Sequence, residues 1–191
     1  MGAVTLTSDW PPATGPLTVA DLDRTPADGR RYELVDGVLI VSPAPLIPHQ
    51  VVLHQLAVLL DAALPDEFDI VPGPGLWMSG ITELVPDLVI VRHEDLAGRK
   101  LTSPPALVIE VRSASTALFD MNTKKAVYER FGVEAYWIVV PDRDKPEVLG
   151  FELRGGRYEQ IADVVGDEEF RAERPFPVRL VPSQLVARLP R

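Results

Sequence analysis

Residues 106–116 read ALVIEVRSAST. Ala106, Leu107, Val108 and Ile109 open an apolar run that resumes at Val111. Aliphatic residues at this density, bounded by polar ones, predict a buried strand. Glu110 interrupts it. An isolated buried charge is costly, and proteins neutralise it, pair it or give it a metal. Side chains alternate along a strand. Ala106, Val108, Glu110 and Arg112 therefore share one face, and Leu107, Ile109 and Val111 take the other.

A second such strand lies upstream in VPDLVIV, residues 85–91, where Asp87, Val89 and Val91 share a face. Asp87 opens this strand and Glu110 lies near the end of the next. If the two are antiparallel neighbours, the carboxylates sit side by side. Two adjacent carboxylates repel, so one stays protonated unless a cation intervenes. A hard divalent cation with oxygen ligands is one remedy. Lys124 and Lys125 follow on a helix from which a lysine can fold back over the acids. Two acids, a metal and a lysine suit phosphodiester hydrolysis. The plain alternatives are Asp87 as a strand start and Glu110 at a wet strand end, paired with Arg112 or a lysine.

Around these strands the pattern is mixed. LTVADLDRTP, 17–26, predicts a short helix with Thr18 as N-cap and Asp21 completing a capping box. RYELVDGVLIVSP, 31–43, is a hairpin turning at Asp36-Gly37. Residues 45–65 form a helix, with Val52, Leu56, Leu59, Leu60 and Ala63 on one stripe and Pro48 near its start. Strands are expected at FDIV and around GLWM. A second helix, DMNTKKAVYERFG, closes at Gly132. EAYWIVVP is a strand, and EVLGFELRGGRYEQIAD a hairpin turning at Gly155-Gly156. A strand near FPVRL and a helix from Ser183 end the chain. The fold class is α+β with an α/β-type core: a mixed sheet flanked by helices, with additional β-hairpins.

The 191 residues suit one domain, 17–191, behind an N-terminal arm, 1–16, rich in Pro, Gly, Thr and Ser. No apolar run reaches the ~18 residues that span a bilayer, and the N-terminus lacks a signal-peptide pattern. No cysteine is present. Disulfides and thiolate metal sites are excluded, which fits the cytoplasm. The net charge of −9 argues against a basic nucleic-acid coat protein, although a local patch or bound cation overrides a global sign.

VPDLVIV, VIEVRSAST, DMNTKKAVYERFGVEAYWIVVP and RYELVDGVLIVSPAPLIPHQ, in their chain order, resemble the Uma family of restriction endonucleases, within the PD-(D/E)XK nuclease superfamily. The resemblance runs from about Thr18 to Tyr158. It implies a restriction-endonuclease-like core and a metal-dependent endonuclease that hydrolyses DNA with Mg²⁺ or Mn²⁺. By position, Asp87 and Glu110 are the metal-binding acids, with the Val111 carbonyl as a third ligand. Lys124, four residues before the helix tyrosine, replaces the lysine found two residues after the acid in other members. That position here is Arg112, which stays protonated, a poor base but able to bind phosphate. Glu33, His49 and Asp120 match positions near the site.

Each has a plain counterpart: Glu33 paired with Arg30 or Arg31, His49 in solvent, and Asp120–Lys124 as an i,i+4 helix pair worth ~0.3 kcal/mol. Lys125 is expected in solvent, His54 on the helix surface, and Trp77, Tyr136 and Trp137 in the core or an interface. A homodimer is expected from the β-rich C-terminal third, the EAYWIVV run and the habit of the superfamily. The alternative to an enzyme is a non-catalytic homo-oligomeric binding module that keeps the fold. Without metal, the Asp87–Glu110 pair is expected to disfavour folding, so Glu110→Gln should raise the melting temperature.

Overall fold

The structure, a computed structural model, describes residues 15–112 and 119–190, with Phe119 and Asp120 in backbone only. Most of the expected arm, the SAST run at 113–116 and the Asp120 side chain therefore lie outside the described residues. The elements run α1 (Val19–Leu22), β1 (Arg31–Val35), β2 (Val38–Ser42), α2 (Ile47–Asp61), β3 (Phe68–Pro72), β4 (Leu76–Ser79), β5 (Thr82–Leu84) and β6 (Leu88–Arg92). They continue with β7 (Leu107–Val111), a π-helical turn (Phe119–Lys124), α3 (Lys125–Phe131), β8 (Ala135–Val140), β9 (Glu147–Arg154), β10 (Arg157–Val165), β11 (Phe170–Ala172), β12 (Val178–Leu180) and α4 (Pro182–Val186).

A six-stranded sheet of order β10-β9-β8-β7-β6-β3 is the centre of the molecule. Its neighbours pair antiparallel except β7 and β8, which are parallel. A parallel pair needs a long crossover, and the π-turn with α3 lies on that connection. β7 and β8 are buried along their whole length, as runs apolar throughout except for Glu110 require when both faces are covered. On one face Leu88, Ile90, Leu107, Ile109 and Trp137 pack with Val52, Leu56 and Leu60 of α2 and with Phe170, Val178 and Leu185. On the other, Val89, Val91, Val108, Tyr136 and Ile138 pack with Leu76, Leu84, Val127 and Tyr128. The second face is closed by α3 and by a smaller sheet, β2-β1-β5-β4.

Local chemistry sets the turns. Val35 pairs with Val38 across a two-residue loop, and Asp36 and Gly37 both have positive φ (49° and 83°), as a type I′ turn demands. In α1 the Asp21 carboxylate accepts from the Thr18 amide and hydroxyl, both at 2.8 Å. Gly132 ends α3 in the left-handed region.

Several expectations are corrected. Leu59 packs partly buried against the core, as its place on the stripe predicts, but Ala63 lies beyond the end of α2. Lys125 is not in open solvent: its Nζ lies 3.8 Å from the Phe151 ring centroid. Trp77 is 44% exposed, whereas Tyr136 and Trp137 are fully buried. The EAYWIVV run, β8, is an inner strand covered on both faces, so it leaves no apolar surface for a partner. Exposed apolar side chains lie elsewhere, at Val38, Val41, Leu46 and Ile47.

Candidate active site

β6 and β7 are antiparallel neighbours, with Leu88 opposite Ile109 and Val89 opposite Val108. One step further along this register, Asp87 faces Glu110. Alternation turns both acids to the face that carries α3 and the smaller sheet. The strands thus deliver two carboxylates to the same end of the sheet. Glu33, Asp87, Glu110 and Lys124 are each at most 3% exposed.

Both oxygens of Asp87 have partners. Oδ1 accepts from Arg31 Nη1 at 2.8 Å. Oδ2 lies 2.9 Å from His49 Nε2 and accepts from the Val111 amide at 2.9 Å. Burial alone pushes the Asp87 carboxyl up, but the His49 hydrogen bond, the Arg31 charge and the Val111 amide pull it down further, to about 2. The other acids share Lys124. Its Nζ lies 2.9 Å from Glu110 Oε1 and 3.1 Å from Glu33 Oε1. The Tyr128 hydroxyl donates to the same Glu110 oxygen at 2.7 Å. Burial, then the charge of Glu110, hold that hydroxyl well above the usual phenol range, so it keeps its proton. The Val85 amide donates to Glu33 Oε1 at 2.9 Å.

The buried glutamate is therefore paired. Three carboxylates face two basic side chains, Arg31 and Lys124, so with these charged and His49 neutral the cluster carries one net negative charge. The expected repulsion between Asp87 and Glu110 is met by a separate cation for each. Protonation of one acid is not required.

Of the residues singled out in the sequence, Asp87 and His49 belong to one bonded group and Glu110, Lys124 and Glu33 to the other, side by side at the same end of the sheet. Glu33 pairs with Lys124, not with Arg30 or Arg31. His49 is enclosed in the first turn of α2, with its Nδ1 buried and without a hydrogen-bond partner. Arg112 lies half-buried just beyond β7, its amide bonded to the Val139 carbonyl at 2.8 Å. The backbone at Asp120 lies in the π-helical turn that delivers Lys124, a feature frequent at functional sites. Arg31 and Tyr128 are members that the sequence reading missed. Arg31 shares a strand face with Glu33, and Tyr128 lies one helical turn after Lys124. Both signals were present in the spacing.

The mixed α+β fold is shared with a nuclease-fold neighbour among solved structures. That neighbour is the crystal structure of a putative nuclease belonging to DUF820 from Anabaena variabilis ATCC 29413. It matches with a TM-score of 0.71 at 16% identity, over 90% of this chain and 98% of that one. The chain belongs to the Uma2 family, described as "Putative restriction endonuclease", whose model matches residues 19–185. No curated protein matches it.

Proposed function

We propose that the chain is a metal-dependent endonuclease that hydrolyses DNA phosphodiester bonds, with Asp87 and Glu110 as the acids that hold Mg²⁺ or Mn²⁺. The observation that carries this reading is the register pairing of Asp87 with Glu110, beside a lysine buried within 2.9 Å of Glu110. The donor set fits the ion. Asp87 and Glu110 offer hard oxygens, and no group of three or more His, Asp or Glu among the described residues forms a ready-made cage. Mg²⁺ commonly takes one or two carboxylates and completes its shell with substrate phosphate and water. Bound there, it would supply an activated water and neutralise charge on the phosphate. Lys124 and Tyr128 hold Glu110 in place through one oxygen. The Lys124 ammonium also puts a fixed positive charge where negative charge builds up during phosphoryl cleavage.

Membership of the Uma2 family and the fold of the DUF820 neighbour support nucleic acid as the substrate class. No helix among the described residues is long and apolar enough to cross a membrane. A homodimer belongs to the same reading. Leu46 and Ile47, 74% and 81% exposed, start the helix that carries His49 and offer an apolar contact.

The test is cleavage of supercoiled plasmid and of single-stranded circles with Mg²⁺ or Mn²⁺, wild type against Glu110→Gln. Ion-dependent cleavage should fall by about two orders of magnitude or more in the variant. A second reading, a non-catalytic binding module, is favoured by one observation: Asp87 and Glu110 each have a cationic partner, Arg31 and Lys124, without an ion. Absence of cleavage, together with Mn²⁺ binding that Glu110→Gln leaves unchanged, would select it.

A further inference from the structure

We propose that Arg31 is a ligand for the substrate phosphate which, without DNA, is stored on Asp87 and keeps that carboxylate closed to the ion. This rests on the nuclease reading above. Asp87 Oδ2 already meets His49 and the Val111 amide, so the lone pair left for an ion is on Oδ1, where the ion must approach the guanidinium charge of Arg31, whose Nη1 lies 2.8 Å from that oxygen. The Val111 amide is fixed in β7, and the next amide, that of Arg112, is tied to Val139 at 2.8 Å. His49 is anchored in the first turn of α2 with its side chain 11% exposed. Arg31 differs. It is the first residue of β1, its side chain is 23% exposed, and its single ion pair among the described residues is with Asp87.

A guanidinium has five donors in a planar fork that matches a phosphate as well as a carboxylate. An incoming phosphodiester brings the negative charge that competes for Arg31. Its departure frees Asp87 Oδ1 beside Glu110. DNA and ion then bind cooperatively, and linkage makes the effect reciprocal. In a chain of net charge −9, a cation released only at the site also gives the phosphate a local anchor.

Calorimetry with Mn²⁺ and the metal-free full chain, without DNA, separates this role from a structural one. Arg31→Met should bind Mn²⁺ about tenfold more tightly than wild type, because the closed state no longer competes. In EDTA the same variant should bind a short duplex more weakly, with the salt dependence of log K less steep by about one. Arg31→Lys keeps a charge but not the fork, and should lie between in Mn²⁺ affinity. It carries the test if Arg31→Met does not fold. Mn²⁺ binding that is equal or weaker in the Arg31 variants overturns the proposal. If Glu110→Gln abolishes Mn²⁺ binding while the Arg31 variants gain none, only the storage role fails. If Glu110→Gln leaves Mn²⁺ binding intact, the nuclease reading fails and this proposal with it.

Discussion

Taking away the ammonium of Lys124 leaves Glu33 and Glu110 buried without the cation that lies within 3.1 Å of both. Stranding buried charge in this way costs about 3–5 kcal/mol. Lys124→Met should lose stability on that scale in urea unfolding at neutral pH. Glu110→Gln should stay within about 1 kcal/mol of wild type, because Lys124 keeps Glu33 and the Gln oxygen still accepts from Tyr128. This replaces the expectation of a stabilised variant, which assumed two acids without cations. Asp87 gives a pH signature. Its folded pKa of about 2 lies below the ordinary unfolded value, so its contribution is present above that value and is lost as pH falls through the folded one. The size is about 2 kcal/mol. Between pH 7 and pH 2, wild type should lose roughly that much more stability than Asp87→Asn. Parallel pH profiles of the two proteins would contradict the buried pairing.

At the scale of elements, β9 and β10 show how tightly the outer half of the sheet is fitted. Their register shifts between Gln160 and Ala162, opposite Phe151 and Gly150. A Cβ on Gly150 would meet Phe170 Cε2 at 2.8 Å and Ile161 Cγ1 at 3.2 Å. Phe170 is itself held edge-on against Trp137, with centroids 4.8 Å apart. Gly150→Ala should therefore destabilise by about 1–3 kcal/mol through overpacking, measured by thermal or urea melts, with the site's ion affinity unchanged. Both hairpins were legible because their turn residues are local signals. Asp36-Gly37 and Gly155-Gly156 supply the positive φ values that two-residue loops need. β5 and β11 escaped notice because three residues are too few to establish a period. They are strands because neighbours pair with them.

For the whole molecule, the proposed dimer has a direct readout. Sedimentation at micromolar concentration should give twice the chain mass, and Ile47→Glu, at an 81% exposed position, should shift it to monomer. A wild-type monomer would remove the dimer without touching the site. The global charge of −9 and the cluster's nearly balanced local charge also differ in kind. The first is a sum over composition, and the second depends on which side chains the fold collects.

Composition, periodicity and turn chemistry determined the α+β class, the order of the main elements, and the face of each strand on which Asp87 and Glu110 stand. These are local properties, set within a few residues by alternation and by backbone preference. The partners of the acids were decided only in three dimensions. Arg31 and Asp87 are 56 residues apart in sequence, His49 and Asp87 are 38 apart, and Val85 and Glu33 are 52 apart. Alternation fixes which way a side chain points but carries no information about what a distant strand or helix brings to meet it. The buried glutamate was visible in the sequence. The lysine and tyrosine that offset the cost of its burial, and the second carboxylate that shares the lysine, were joined to it by the sheet register, the crossover through α3 and the smaller sheet packed above.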